Sequence, residues 1–96
     1  MLQELERRIG RAIVESSVQI VDCDEEAIRM GLGDRYFNNA YRVEVYWKRK
    51  RDGVPMGYRK LISKAILSDL EVGGGELIDY FIERMISDIC RLEEAP

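Results

Sequence analysis

The chain has 96 residues, of which 46% are hydrophobic and 34% are charged, with a formal net charge of −3. These values are typical of a folded globular domain and argue against intrinsic disorder. Two cysteines and no histidine are present, which excludes a disulfide-rich scaffold and removes the Ser-His and Cys-His pairs on which most hydrolases depend.

The first element is predicted as an amphipathic helix from Leu2 to about Ile20. Apolar residues recur there at mostly three- and four-residue spacing, which places them on one helical face. Pairs such as Glu4 with Arg8 lie one turn apart on the opposite face, and Gly10 weakens the helix slightly.

An acidic stretch, Asp22 to Glu26, precedes a short apolar pattern from Ala27 to Met30. Acids at a helix start cap free N–H groups and interact favourably with the helix dipole, so a short second helix is expected, ending near Gly31 or Gly33. The alternative is a hard-cation site, but the glycine and distal glutamate of a calcium loop are missing. We therefore expect no metal and no cofactor.

The clearest strand in the sequence is Tyr41 to Lys48, because its side chains alternate in character. One face carries Tyr41, Val43, Val45 and Trp47, and the other carries Arg42, Glu44, Tyr46 and Lys48. Glu44 is expected to face solvent and to offset the neighbouring cations. The preceding residues, 33–39, have turn composition and predict a loop whose aromatics, Tyr36 and Phe37, could pack back onto the core.

A β-hairpin is predicted next, because Asp-Gly between two β-rich runs supplies the positive φ that a tight turn requires. With Asp52 and Gly53 as the turn residues, the expected cross-strand pairs are Trp47 with Tyr58, Val45 with Lys60 and Val43 with Ile62. The return strand is expected to run to about Leu67. The alternative is a helical stripe made of Leu61, Ile62, Ala65, Ile66 and Leu70, so residues 58–70 remain open between strand and helix.

A last helix, Glu76 to about Glu93, follows the break at Gly73-Gly74-Gly75 and has the most regular helical spacing in the chain. Its apolar arc is wide, so we expect one flank to pack on the hairpin and the other on the N-terminal helix or a second chain. Acids in its first turn would repel a phosphate. The predicted fold is a single α+β domain, residues 1–96: N-terminal helix, short helix, antiparallel β-hairpin, and C-terminal helix packed on the small sheet.

Cys23 and Cys90 are far apart in sequence and lack any CxxC spacing, so a zinc site has no support and two reduced thiols are expected. The N-terminus lacks the basic and uninterrupted apolar regions of a secretory signal, and no apolar run reaches the roughly 20 residues of a membrane span. We therefore expect a cytoplasmic protein without membrane association. A chain this short buries only roughly 60 to 65% of the surface that its unfolded form exposes, which favours a homodimer.

The charge distribution is the feature that most distinguishes the sequence. Residues 41–64 contain eight bases against two acids, whereas residues 65–96 contain eight acids against two bases. The eight bases are the candidate binding residues: Arg42, Lys48, Arg49, Lys50, Arg51, Arg59, Lys60 and Lys64. A basic hairpin bracketed by acidic helices can contact an acidic partner, or it can be a solvated edge that blocks aggregation.

Two functions fit these observations. The first is a non-enzymatic protein-interaction module, such as an adaptor, a chaperone or an inhibitor-like regulatory modulator, whose partner has an acidic surface. The alternative is a nucleic-acid-binding domain that lays the basic hairpin along a phosphate backbone, although a pI near 5.0 argues against a dedicated one. No catalytic residue is expected.

Overall fold

Four α-helices and one three-stranded antiparallel sheet form the described part of the chain. A computed structural model describes the backbone of all 96 residues and every side chain except that of Asp34. The helices are α1 (Leu2–Ala12), α2 (Cys23–Arg29), α3 (Lys64–Gly73) and α4 (Gly75–Glu94), and the strands are β1 (Ser17–Asp22), β2 (Ala40–Lys48) and β3 (Pro55–Ser63). A 3-10 turn, Asp34–Tyr36, lies between α2 and β2. The predicted α+β class is confirmed.

The N-terminal helix is shorter than predicted. It ends at Ala12, where Ile13 becomes extended, and Glu15 turns the chain with a φ of 61°. The residues that follow form β1, which places Val18 opposite Val45 and pairs antiparallel with β2. The prediction of one helix to Ile20 was wrong because β-branched residues gain more as a strand beside the central β2 than as a frayed last turn.

The hairpin forms as predicted, but its register differs by two residues. Val45 lies opposite Tyr58, and Val43 lies opposite Lys60. The turn is a four-residue loop, residues 50–53, closed by a 2.9 Å hydrogen bond from Arg49 N–H to the Val54 carbonyl. Asp52 favours this wider loop, because its carboxylate accepts the Val54 N–H at 3.1 Å. A shift of two residues leaves every side chain on its predicted face.

The segment that the sequence left open between strand and helix contains both. Strand β3 ends at Ser63, and the Ser63 hydroxyl caps α3 by accepting the Ala65 N–H at 3.2 Å. The return strand therefore ends at Ser63 and not at about Leu67, as the sequence had predicted. Leu67 instead lies on the buried side of α3.

One face of the sheet, the core face, is covered by α1 and α4. The buried core consists of Leu5, Ile9, Val43, Val45, Trp47, Ile62, Leu67, Ile82, Met85 and Ile89. Tyr41, Val43, Val45 and Trp47 share a face as predicted, and α4 contributes its central stripe while Leu77 and Tyr80 remain exposed. A 2.6 Å ion pair from Arg8 to Asp79 joins α1 to α4.

Helix α2 lies on the opposite face of the sheet, the outer face, where its Glu26 carboxylate binds the Arg42 guanidinium. Cys23 and Cys90 are free thiols, as predicted. Across the described residues, no helix is long and apolar enough to cross a membrane.

Candidate functional site

The eight candidate basic residues fall in separate places on the molecule. Lys48, Arg49, Lys50 and Arg51 lie at the hairpin tip, and Lys64 lies at the opposite end of β3. Arg42 and Arg59 lie on the outer face, and Lys60 lies on β3 opposite Val43. The structure therefore does not bring the eight residues together in one surface.

The hairpin tip is held against the end of α4. Glu93 accepts hydrogen bonds from Trp47 Nε1 at 2.7 Å and from the Lys50 backbone N–H at 2.8 Å. The Arg49 guanidinium hydrogen-bonds to the Asp52 carboxylate and lowers the pKa of Asp52 to about 2. Arg51 donates to the Ala95 carbonyl. Among the tip residues, only the ammonium groups of Lys48 and Lys50 are without an ion pair to a described side chain.

Lys64 lies in a structural cluster rather than on a free basic surface. Its ammonium group is 2.9 Å from the Asp22 carboxylate and 3.0 Å from that of Asp24. These hydrogen bonds lower the pKa of both carboxyls and raise the pKa of Lys64. Asp22 also caps α2 by accepting the Asp24 N–H at 3.0 Å. Asp22 therefore caps α2, as the sequence predicted, whereas the ion pairs of Asp22 and Asp24 with Lys64 were not predicted.

A second ionic cluster lies on the outer face around Glu44. Its carboxylate is 3.0 Å from Arg59 Nε and accepts a 2.9 Å hydrogen bond from the Tyr46 hydroxyl. The Arg42 guanidinium donates to both carboxylate oxygens of Glu26, at 3.0 and 3.1 Å, which lowers the pKa of Glu26. Glu44 offsets cations as predicted, but the expectation that it faces solvent was wrong, since the residue is only 7% exposed.

An open cleft of about 430 Å³ lies beside this cluster, between α2, residues 30–38 and β3. We call it the outer cleft. Its lining combines the apolar residues Met30, Leu32, Tyr36 and Leu61 with the charged residues Glu26, Arg42, Arg59 and Lys60. Lys60 pairs with Val43, so its side chain points to the core face and its main chain borders the cleft. Met30 is 67% exposed and Leu61 is 59% exposed, so apolar surface remains open to solvent.

The two loop aromatics are also exposed, and one of them, Tyr36, lines the cleft. Tyr36 is 47% exposed and Phe37 is 41% exposed, so the expectation that they pack back onto the core was wrong. The physical reason is that α1 and α4 already cover the core face, while Tyr36 contributes to the cleft on the outer side.

The apolar residues of the outer cleft were not identified as a site from the sequence. One signal was available for Leu61, which occupies a solvent-side position in a strand whose alternate residues point to the core. Met30 ends the short apolar pattern before Gly31, and Leu32 lies between two glycines, so their meeting with Leu61 depends on the tertiary fold. No protein-family model, curated protein or solved structure matches this chain.

Proposed function

We propose that this chain is a non-enzymatic protein-interaction module that binds its partner through the outer cleft. The observation that carries the proposal is the convergence of exposed Met30, Tyr36 and Leu61 on one open cleft. Ion pairs hold Arg42 and Arg59 in place beside it. Tyr, Met and Arg are enriched at the centres of protein interfaces, where charged residues of other kinds are depleted. Contiguous exposed apolar surface is likewise characteristic of interaction sites.

The state of the carboxylates favours binding over catalysis. A general acid near neutral pH needs a raised pKa, whereas the Arg42 guanidinium lowers the pKa of Glu26. Glu44, the other carboxylate near the cleft, is held by Arg59 and Tyr46. Both carboxylates are therefore engaged by cations of the chain itself.

The same ion pairs weigh against the nucleic-acid alternative. Binding to nucleic acid depends on unpaired basic groups that neutralise phosphates and so release the counterions condensed on the nucleic acid. Five of the eight candidate bases already form ion pairs with carboxylates of the chain, namely Arg42, Arg49, Arg51, Arg59 and Lys64. Nucleic-acid binding is therefore the second candidate, and it would depend mainly on Lys48 and Lys50 at the tip and on Lys60 on β3.

The test is a pull-down from native extract with the parent chain and two matched variants. Leu61→Ser removes apolar surface from the cleft, and Val14→Ser makes the same kind of change at a site that is 64% exposed and outside the cleft lining. We expect specific partners to survive nuclease digestion, to be lost with Leu61→Ser and to be kept with Val14→Ser. Circular dichroism should show that both variants are folded.

Two results would overturn the proposal. Equal capture by the parent and Leu61→Ser would show that the partner binds elsewhere. Partners that are released by nuclease and lost in a Lys48→Glu and Lys50→Glu double variant would favour nucleic acid bound at the tip.

A further inference from the structure

Strand β3 presents an uncovered edge. The strand order is β1-β2-β3, so β3 has a strand neighbour on one side only. Two hydrogen bonds of 2.9 Å bracket the hairpin ladder in the same register. Arg49 N–H donates to the Val54 carbonyl at one end, and Lys64 N–H donates to the Asn39 carbonyl at the other. No loop or helix of the described chain adds a backbone hydrogen bond to the outer edge of β3.

The ladder fixes which main-chain groups face outwards. Bonded and non-bonded pairs alternate in an antiparallel ladder, so the even-numbered residues of β3 bond to β2. The odd-numbered residues Gly57, Arg59 and Leu61 therefore direct their N–H and C=O groups away from the sheet. Pro55, at the start of the same edge, has no N–H.

This edge runs along the outer cleft. Arg59, Lys60 and Leu61 are consecutive residues of β3, and all three line the cleft. Main-chain donors and acceptors, apolar surface and cations are thus combined on one short segment. Strand addition uses these features together, because main-chain hydrogen bonds give affinity and alternate side chains give specificity.

We propose that the edge of β3 binds an extended segment of a partner protein as a fourth strand, and that this segment has the pattern apolar, acidic, acidic, apolar. The proposal rests on the proposed function and names the chemistry of its partner. An apolar residue opposite Leu61 lies on the outer face and enters the cleft beside Met30 and Tyr36. An apolar residue opposite Tyr58 lies on the core face, where the Tyr58 ring is partly buried.

The two acidic positions follow from Arg59 and Lys60. The Lys60 ammonium has no ion pair with any side chain that the structure describes, and Arg59 shares only the Glu44 carboxylate while its side chain stays 68% exposed. Opposite charges on directly paired strand residues are stabilising. The pattern reads the same in both directions, so it holds for a parallel or an antiparallel segment.

A second copy of this chain is a poorer occupant of the edge. A symmetric pairing of two β3 edges centred on Arg59 or on Lys60 would place a cation opposite its own copy, and like charges at paired positions are destabilising. Charge complementarity therefore selects an acidic segment from another protein.

Fluorescence anisotropy with a labelled peptide tests the proposal. The probe contains the core Ile-Glu-Glu-Val, and its control contains Ile-Lys-Lys-Val. We expect the acidic probe to bind and the basic control not to bind. Lys60→Glu should weaken binding about fivefold or more, since it replaces an attraction with a repulsion, whereas the matched Lys48→Glu at the tip should leave binding unchanged.

N-methylation of single peptide bonds in the probe distinguishes strand addition from side-chain docking. Methylation should weaken binding about tenfold or more at every second residue and have little effect at the residues between, because only alternate N–H groups face β3. Equal effects at all positions, together with loss of binding in Leu61→Ser, would overturn strand addition and leave the outer cleft as the binding site.

Three further outcomes are informative. Absence of probe binding overturns the proposal, while the pull-down with Leu61→Ser independently decides the proposed function. Tight binding of the basic control overturns the charge argument. A dimer by light scattering that Lys60→Glu or Leu61→Ser dissociates would show that a second copy occupies the edge, and this too overturns the proposal.

Discussion

Separate alanine substitutions at Leu61 and Ile62 test the placement of the outer cleft, because adjacent strand residues point to opposite faces. Ile62 is 2% exposed and belongs to the core, so Ile62→Ala should lower the free energy of unfolding by about 2 to 5 kcal/mol. Leu61 is 59% exposed, which leaves about two fifths of it buried. Full burial of a leucine contributes about 1.5 to 3 kcal/mol, so Leu61→Ala should cost at most about 0.6 to 1.2 kcal/mol.

Urea denaturation at equilibrium measures both values. The midpoint of Ile62→Ala should shift more than that of Leu61→Ala, and the m-value should stay constant if both variants unfold in two states. Equal costs, or a larger cost for Leu61→Ala, would refute the reasoning, because they would show that Leu61 is covered within the domain. In that case the cleft would not be available to a partner.

Two further predictions concern acid stability and the thiols. Asp22 and Asp24 have pKa values below the ordinary 3.8, because each accepts a hydrogen bond from Lys64. The two carboxylates therefore stabilise the fold above about pH 4, and this stability is lost as the pH falls through their pKa values in the folded state. The urea midpoint should therefore fall more between about pH 6 and about pH 3 in the parent than in Lys64→Met, and equal falls would contradict this linkage. Thiol titration of protein unfolded without reductant should find both Cys23 and Cys90 free. In folded protein the partly exposed Cys90 should react before the buried Cys23. A monomer that has no reactive thiol after unfolding would indicate a disulfide.

Local periodicity predicted the elements whose two faces differ strongly. Alternation from Tyr41 to Trp47 identified both the strand and its buried face, because a strand between two others must present one apolar side to the helices. The helical spacing of the last segment likewise predicted α4, which buries Ile82, Met85 and Ile89. In these elements local propensity and tertiary burial favour the same structure.

The N-terminal segment and residues 58–70 were harder to predict, because the sequence there is compatible with both a helix and a strand. The apolar spacing through Ile13 suits a helix, but Val18, Ile20 and Val21 suit a strand once β2 is beside them. Residues 58–70 contain a strand and a helix joined without a loop, and only the Ser63 cap marks the change. Pairing with a distant strand decided the outcome at β1, and a single-sequence pattern does not contain that pairing.

At the candidate site, the sequence likewise did not predict which charged side chains form ion pairs. Lys48 to Arg51 form a conspicuous basic run, yet Asp52 and the end of α4 engage the two arginines in it. Glu44 was recognisable as a counter-charge, but its burial depends on Arg59 and Tyr46 closing over it. A sequence gives the number and sign of charges, whereas the available surface depends on which of them pair in three dimensions.

The position of the outer cleft follows from how the helices are distributed over the sheet. Helices α1 and α4 cover the core face, while the outer face has only α2, which is seven residues long and meets the sheet at Arg42. The Glu44 cluster allows polar groups to be buried on that face, yet it leaves Arg42 Nε without a hydrogen-bond partner among the described side chains. Beyond α2, Leu61 and the edge of β3 have no covering element within the described chain. A small domain that buries little surface on its own gains most from a partner at such a place, because the partner supplies the cover that its own helices do not.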